Sequence, residues 1–152
     1  MSNLRRSRGY GFEMWLVKKF IKCGWGSRRL GGASTGLPDV IGVNNEHLDL
    51  IVIEAKSKRE DSVDIPIDEI QRCGAIQDLF RAYSSVTVIA VRLGPNKHPS
   101  YGYYDIDPFL WEYIEKGQVK SVRAYAGIHK RLEFKLIKGP PRIRYDEDNI
   151  MP

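Results

Sequence analysis

The sequence predicts an α/β fold, a central mixed β-sheet flanked by α-helices. Three observations lead there. An apolar hairpin occupies residues 39–57; a helix with one apolar stripe follows at 66–83; a second aliphatic strand, SVTVIAVR, comes after it at 85–92. A tight hairpin is antiparallel, whereas strand, crossover helix and strand form a right-handed parallel unit, so the two together make a mixed sheet. At 152 residues the chain is most simply one domain, 1–138, with a tail at 139–152.

Taken in order, residues 9–23 place Phe12, Trp15, Leu16, Val17, Phe20 and Ile21 at close to helical spacing, and Gly24 suits the stop. Residues 26–30 read as a short basic strand, and GGASTG at 31–36 as a flexible loop. Residues 39–43 form an apolar strand, Asn44 and Asn45 carry turn chemistry, and 48–57 form the returning strand. Aliphatic residues stand at both parities of LDLIVI, which predicts a strand covered on both faces. In the helix at 66–83 the stripe is Ile70, Cys73, Ile76, Leu79, Phe80 and Tyr83, and Pro66 and Asp68 suit its start. Beyond the strand at 85–92, a loop at 96–100 leads to an edge strand at 101–105. A short helix at 108–116 ends at Gly117, and 119–125 with 131–137 make a terminal hairpin. From Gly139 onward, prolines and charges predict a frayed tail.

No apolar run approaches the ~20 residues of a membrane span, and the N-terminus MSNLRRSRGYGFE lacks the hydrophobic segment of a secretory signal. Cys23 and Cys73 lie far apart, which fits reduced thiols in a cytoplasmic protein, and His47, His98 and His129 show no metal-ligand spacing. The net charge of +5 admits an anionic partner without identifying one. Its distribution is more informative. Arg5, Arg6 and Arg8 sit at the N-terminus, Arg28 and Arg29 just before the hairpin, and Lys56, Lys58 and Arg59 just after it.

The hairpin itself poses a question, because a strand that only needed burial would not carry Asp39 at one end and Glu54 and Lys56 at the other. With the turn near Asn45 and Glu46, Asp39 falls beside residues 52–54. Glu54 and Lys56, two apart on a strand, share one face. Two carboxylates together in a region of low dielectric must take up a proton or hold a cation between them. Oxygen ligands in a tight site suit Mg²⁺ or Mn²⁺, which keep several waters and borrow oxygens from a phosphate. A lysine beside them can place a water and offset transition-state charge. These parts suffice for phosphodiester hydrolysis. The plain alternative is an ion pair in which Lys56 compensates Glu54, since E-x-K is a common tripeptide.

The wider pattern favours the chemistry. P-D at 38–39, a hairpin, and E-A-K at 54–56 resemble the PD-(D/E)XK nuclease motif. Glu13 on the first helix precedes them, after R-G-Y-G-F at 8–12, and Gln71 follows on the second helix. That order on a basic background resembles the archaeal Holliday junction resolvases, over about residues 5–92. The resemblance implies a restriction-endonuclease-like core; the segment at 101–138 departs from the family as a C-terminal extension. It implies that Asp39 and Glu54 bind the metal, that Lys56 is the catalytic lysine, and that Glu13 completes the site directly or through water. Gln71 would orient Lys56 or a water. A serine in the loop before P-D would also matter, with Ser34 the nearest candidate and Ser27 and Thr35 competing. Arg29 resembles the family's DNA-contacting basic residue, and Arg5, Arg6, Arg8, Arg28, Lys58 and Arg59 would add phosphate contacts. The implied activity is Mg²⁺-dependent cutting of four-way DNA junctions by paired, symmetric nicks, with Mn²⁺ able to substitute, by a two-fold homodimer. A nucleoid-associated protein of a cell and a virus-encoded one fit equally.

Three rivals stand beside this reading. A restriction or repair endonuclease on other DNA would share the same residues. A non-catalytic junction binder would keep the fold, although acids facing phosphates gain it nothing. A small basic protein with a merely structural E-A-K would bind no metal. Nothing in the chain reads bases, so recognition by shape through arginine and lysine is the natural expectation.

Overall fold

The computed structural model describes residues 2–95, 97–127 and 131–140, and for residues 2–8 and 33 the backbone alone. His129 and the tail beyond residue 140 therefore lie outside the described residues. Helix α1 runs Ser2–Lys22, strand β1 Gly26–Arg29, and a single 3-10 turn Gly32–Ser34. The hairpin strands are β2, Val40–Asn44, and β3, Asp49–Lys58; β4 is Ser62–Pro66 and helix α2 Ile67–Leu79. Then follow β5, Ser84–Leu93; β6, Ser100–Ile106; helix α3, Pro108–Glu115; β7, Val119–Ala126; and β8, Leu132–Lys138. Among the described residues no helix is long and apolar enough to cross a membrane.

Five strands form the central sheet in the order β1-β2-β3-β5-β6, and β4-β7-β8 form a second sheet. β3 pairs parallel with β5, while every other pairing is antiparallel. The central sheet is therefore mixed and flanked by helices, as the hairpin followed by a crossover helix predicts. The alternation of β3 divides the molecule. Ile51, Ile53 and Ala55 face α1, where Phe12, Leu16 and Val17 cover them together with Val40, Val88 and Ala90. Leu50 and Val52 face α2 and pack on Cys73. Burying both faces is what the aliphatic run at both parities requires. Gly42 allows α1 to lie close, because a Cβ there would come within 2.6 Å of the Phe20 ring.

Beyond α2 the other face of β5, with Ile89, Val91 and Leu93, joins the second sheet and α3 in one core through Ile65, Ile70, Leu110, Ile114 and Val122. α3 starts where Asp107 accepts a hydrogen bond from the Leu110 N–H at 2.8 Å, with proline at its first turn.

Three features differ from the sequence expectation. α1 begins at Ser2, so Gly9 and Gly11 lie inside a helix expected from residue 9. α2 stops at Leu79, short of Tyr83, and Phe80 donates its N–H to the Gln77 carbonyl at the cap. β4, in a stretch where the sequence pattern predicts no element, turns Val63 and Ile65 inward and pairs with β7.

Candidate active site

The hairpin register decides what meets. Val40 lies opposite Ile53, and the Asp39 N–H donates to the Ile53 carbonyl at 3.0 Å, which brings Asp39 alongside Glu54. By alternation, Glu54 and Lys56 stand on the α2 face of β3 with Leu50 and Val52. Asp39, one residue before the α1-facing Val40, stands on that face too. Its Oδ2 accepts the Ala55 backbone N–H at 2.8 Å. Its other oxygen rests on Gly32, where a Cβ would collide with Oδ1. Gly32 has φ 58°, a left-handed conformation that suits glycine. The loop thus holds the first carboxylate between a backbone amide and a bare Cα.

Glu54 is 2 % exposed, and Asp39 is also buried. The Lys56 Nζ lies 3.9 Å from Glu54 Oε1 and 2.7 Å from Glu69 Oε2 on α2. Glu54 Oε2 is buried with no hydrogen-bond partner. On the α1 side, the Arg29 Nε and Nη2 both reach Glu13 Oε2 at 2.7 Å. The guanidinium lies 4.5 Å from the centre of the Tyr10 ring.

This crowding shifts protonation. The Glu54 carboxyl is pushed up to about 9, by burial first and then by the Asp39 charge, with Lys56 opposing and Glu69 adding to the rise. Glu13 is raised to about 7, by burial first, with the Arg29 hydrogen bond opposing and Asp39 adding to the rise. Asp39 thus acts on both Glu13 and Glu54, and the three acids form one electrostatic unit.

Among the described residues no group of three histidine, cysteine or acidic side chains is arranged to hold a metal ion alone. The donor set nonetheless suits a hard divalent cation. Mg²⁺ takes one or two carboxylates and completes its shell with water and phosphate oxygens. Asp39 and Glu54 supply two all-oxygen donors side by side, and the partnerless Glu54 Oε2 is a lone pair that a cation would satisfy.

The other expected residues separate. Ser34 is exposed, and its hydroxyl donates to the Gly31 carbonyl at 3.0 Å. Thr35 donates to the carbonyls of Leu30 and Gly32, both at 3.0 Å, and Ser27 to that of Ile41 at 2.8 Å. All three hydroxyls serve the backbone. Gln71 is exposed and lines a hollow with Gly74 and Trp111. It stands about 200° round the helix axis from Glu69, so the residue that α2 offers to Lys56 is Glu69 and not Gln71. Arg28, Lys58 and Arg59 are exposed, and the side chains of Arg5, Arg6 and Arg8 lie outside those described.

Gly32 and Glu69 were not singled out from sequence. The G-G pair at 31–32 was a signal of close backbone approach, but Glu69 reads like any acid in a first helical turn.

A family model described as archaeal Holliday junction resolvase (hjc) matches residues 4–137. It runs past the 5–92 stretch that carries the motif and through most of β8. Among solved structures, the chain is similar to a Holliday junction resolvase of Archaeoglobus fulgidus, an archaeal hyperthermophile. Identity is 21 % and the TM-score 0.48, over 64 % of this chain and 77 % of that one. No curated protein matches.

Proposed function

The chain belongs to the archaeal Holliday junction resolvase family, and from that premise we propose that Asp39, Glu54 and Lys56 are the centre at which it cuts. The function that follows from the family is that of an endonuclease acting on branched DNA with a divalent metal. Mg²⁺ as that metal, with Mn²⁺ able to replace it, is our reading, as are the residue roles, a two-fold homodimer that nicks two strands symmetrically, and a cytoplasmic setting. The observation that carries the site is the placement of Asp39 and Glu54 side by side, one oxygen of Glu54 unpartnered, next to an ammonium group.

Asp39 and Glu54 would hold the cation, with Glu13 reaching it directly or through water. When bound, the cation supplies a more acidic water and offsets charge on the phosphoryl oxygens. Asp39 arrives oriented, because the Ala55 N–H holds its Oδ2 and the bare Cα of Gly32 leaves room for Oδ1. Lys56 lies close enough to Glu54 to orient a water for attack and to stabilise the negative charge that develops on the phosphate. The P–O3′ bond breaks, the departing 3′ oxygen takes up a proton, and the product is a nick with a 5′-phosphate. Arg29 secures Glu13 at the rim, and Arg28, Lys58 and Arg59 are exposed for sequence-independent phosphate contact.

The test incubates labelled four-way junction and matching linear duplex with the protein, with and without Mg²⁺, beside Asp39→Asn and Glu54→Gln. Paired nicks on the junction alone, lost in both variants while binding persists, are expected. Equal cutting of linear duplex would overturn the junction preference. Binding without cutting in either Mg²⁺ or Mn²⁺ would overturn the catalytic assignment.

A further inference from the structure

We propose that Glu69 is a positioning residue for Lys56, holding the ammonium off Glu54 so that Glu54 stays open; this rests on the catalytic reading above. A first-turn acid ordinarily complements the helix dipole from the surface, and the neighbouring Asp68 does sit exposed there. Glu69 is instead 8 % exposed and contributes to the electrostatic load on Glu54. Burying a further carboxylate beside Glu54 and Asp39 is unfavourable unless a cation is shared with it. Lys56 is shared unequally, at 2.7 Å from Glu69 and 3.9 Å from Glu54.

The asymmetry has a consequence. A lysine carries its charge on a flexible four-carbon stem and goes to the nearest carboxylate. Without Glu69, that carboxylate is Glu54, two residues away on the same face of β3. The ammonium would then neutralise the acid assigned to the cation and leave the place from which it can orient a water. Glu69, in the first turn of α2, holds it instead in an ion pair of 2.7 Å. The same contact ties the crossover helix to the site, so the βαβ unit sets the position of the lysine as well as the order of the strands.

The experiment is a double-mutant cycle on single-turnover nicking of a four-way junction in Mg²⁺, with junction binding measured separately without metal. Glu69→Ala is expected to lower the nicking rate about 10- to 100-fold, the range typical of residues that orient a reacting group, with junction affinity unchanged and a higher Mg²⁺ concentration needed for half-maximal rate. Glu69→Gln keeps an acceptor in place but not the charge, and is expected to recover only part of the rate. In a Lys56→Ala background, either change at Glu69 is expected to cost nothing more, because Glu69 acts through Lys56. An undiminished rate in Glu69→Ala, or an equal further loss on top of Lys56→Ala, overturns the assignment. Should Glu69→Ala fail to fold, Glu69→Leu, which fills the same space without an acceptor, alone and with Lys56→Ala, decides by the same comparison. If the unmodified protein nicks no junction, it is the catalytic reading that falls. If it nicks and the cycle shows no coupling, only the role of Glu69 does.

Discussion

Asp64 on β4 and Arg123 on β7 meet at the surface of the second sheet through two hydrogen bonds of 2.6 and 3.0 Å. At the end of β3, Lys56 meets Glu69 at a similar 2.7 Å, but beside the buried Glu54. The first is a matched pair in water, and Arg123 holds the Asp64 carboxyl below its ordinary range. The second belongs to a buried group in which Arg29 pairs with Glu13 and Lys56 lies between Glu54 and Glu69, and the Glu13 and Glu54 carboxyls are pushed up. A matched surface pair contributes little and needs nothing else. Buried acids in excess of their cations are costly, and they take up protons or a cation. The distance within a pair thus says less about its role than the surrounding charge balance.

The comparison breaks most sharply under substitution of the acids. Asp39→Asn or Glu54→Gln is expected to lower junction nicking by about a thousandfold or more, the equivalent of about 4 kcal/mol, in a protein that still folds and binds the junction. Time courses of the labelled junction give the rate, and a thermal melt checks the fold. Next in size is pH. Protons on Glu13 and Glu54, leaving at about 7 and about 9, compete with the cation, so Mg²⁺ affinity is expected to rise as pH passes through that range, by at most about tenfold per unit for each proton displaced. Titration calorimetry at several pH values measures it, and a flat profile would contradict the crowded-acid account.

Stability without metal runs the opposite way. Folding raises the Glu54 carboxyl from its ordinary 4.5 to about 9, so the stability linked to that proton is full below about 4.5 and is lost as pH climbs toward 9. The melting temperature of the metal-free protein should fall over this window, and Glu54→Gln should flatten the fall. Gly32→Ala is smaller again, about 1–3 kcal/mol of stability, because the new Cβ meets Asp39 in a left-handed conformation. Chemical denaturation reads that cost, and nicking should weaken with it. Last comes Asp64→Asn, expected to leave nicking unchanged and to alter melting only slightly, with the slight effect vanishing in high salt.

The sequence carried the order of Glu13, Pro38-Asp39 and Glu54-x-Lys56 because strand alternation and a short turn are local rules, and they brought Asp39 to Glu54. They could not identify the partner of Lys56. That contact depends on how α2 rotates about its axis when Ile70 and Cys73 bury, and this turns Glu69 inward and Gln71 outward. β4 escaped notice for a related reason. SVDIP is short, polar at alternate positions and closed by a proline that reads as a helix start, and its pairing partner Val122 lies far along the chain. The extra turns of α1 lie ahead of Gly9 and Gly11, residues of low helix propensity, so propensity places the start too late.

The grip on Asp39 also bears on which sequences the site tolerates. Its Oδ2 is held by the N–H of residue 55, a group that every amino acid but proline supplies. The middle position of the E-x-K triplet is therefore unconstrained by the chemistry on the α2 face. Its side chain points the other way, into the cluster around Phe12 and Ile53, and what narrows the choice there is the room beneath α1. Drift at position 55 can follow changes in that packing while the carboxylate pair keeps its place.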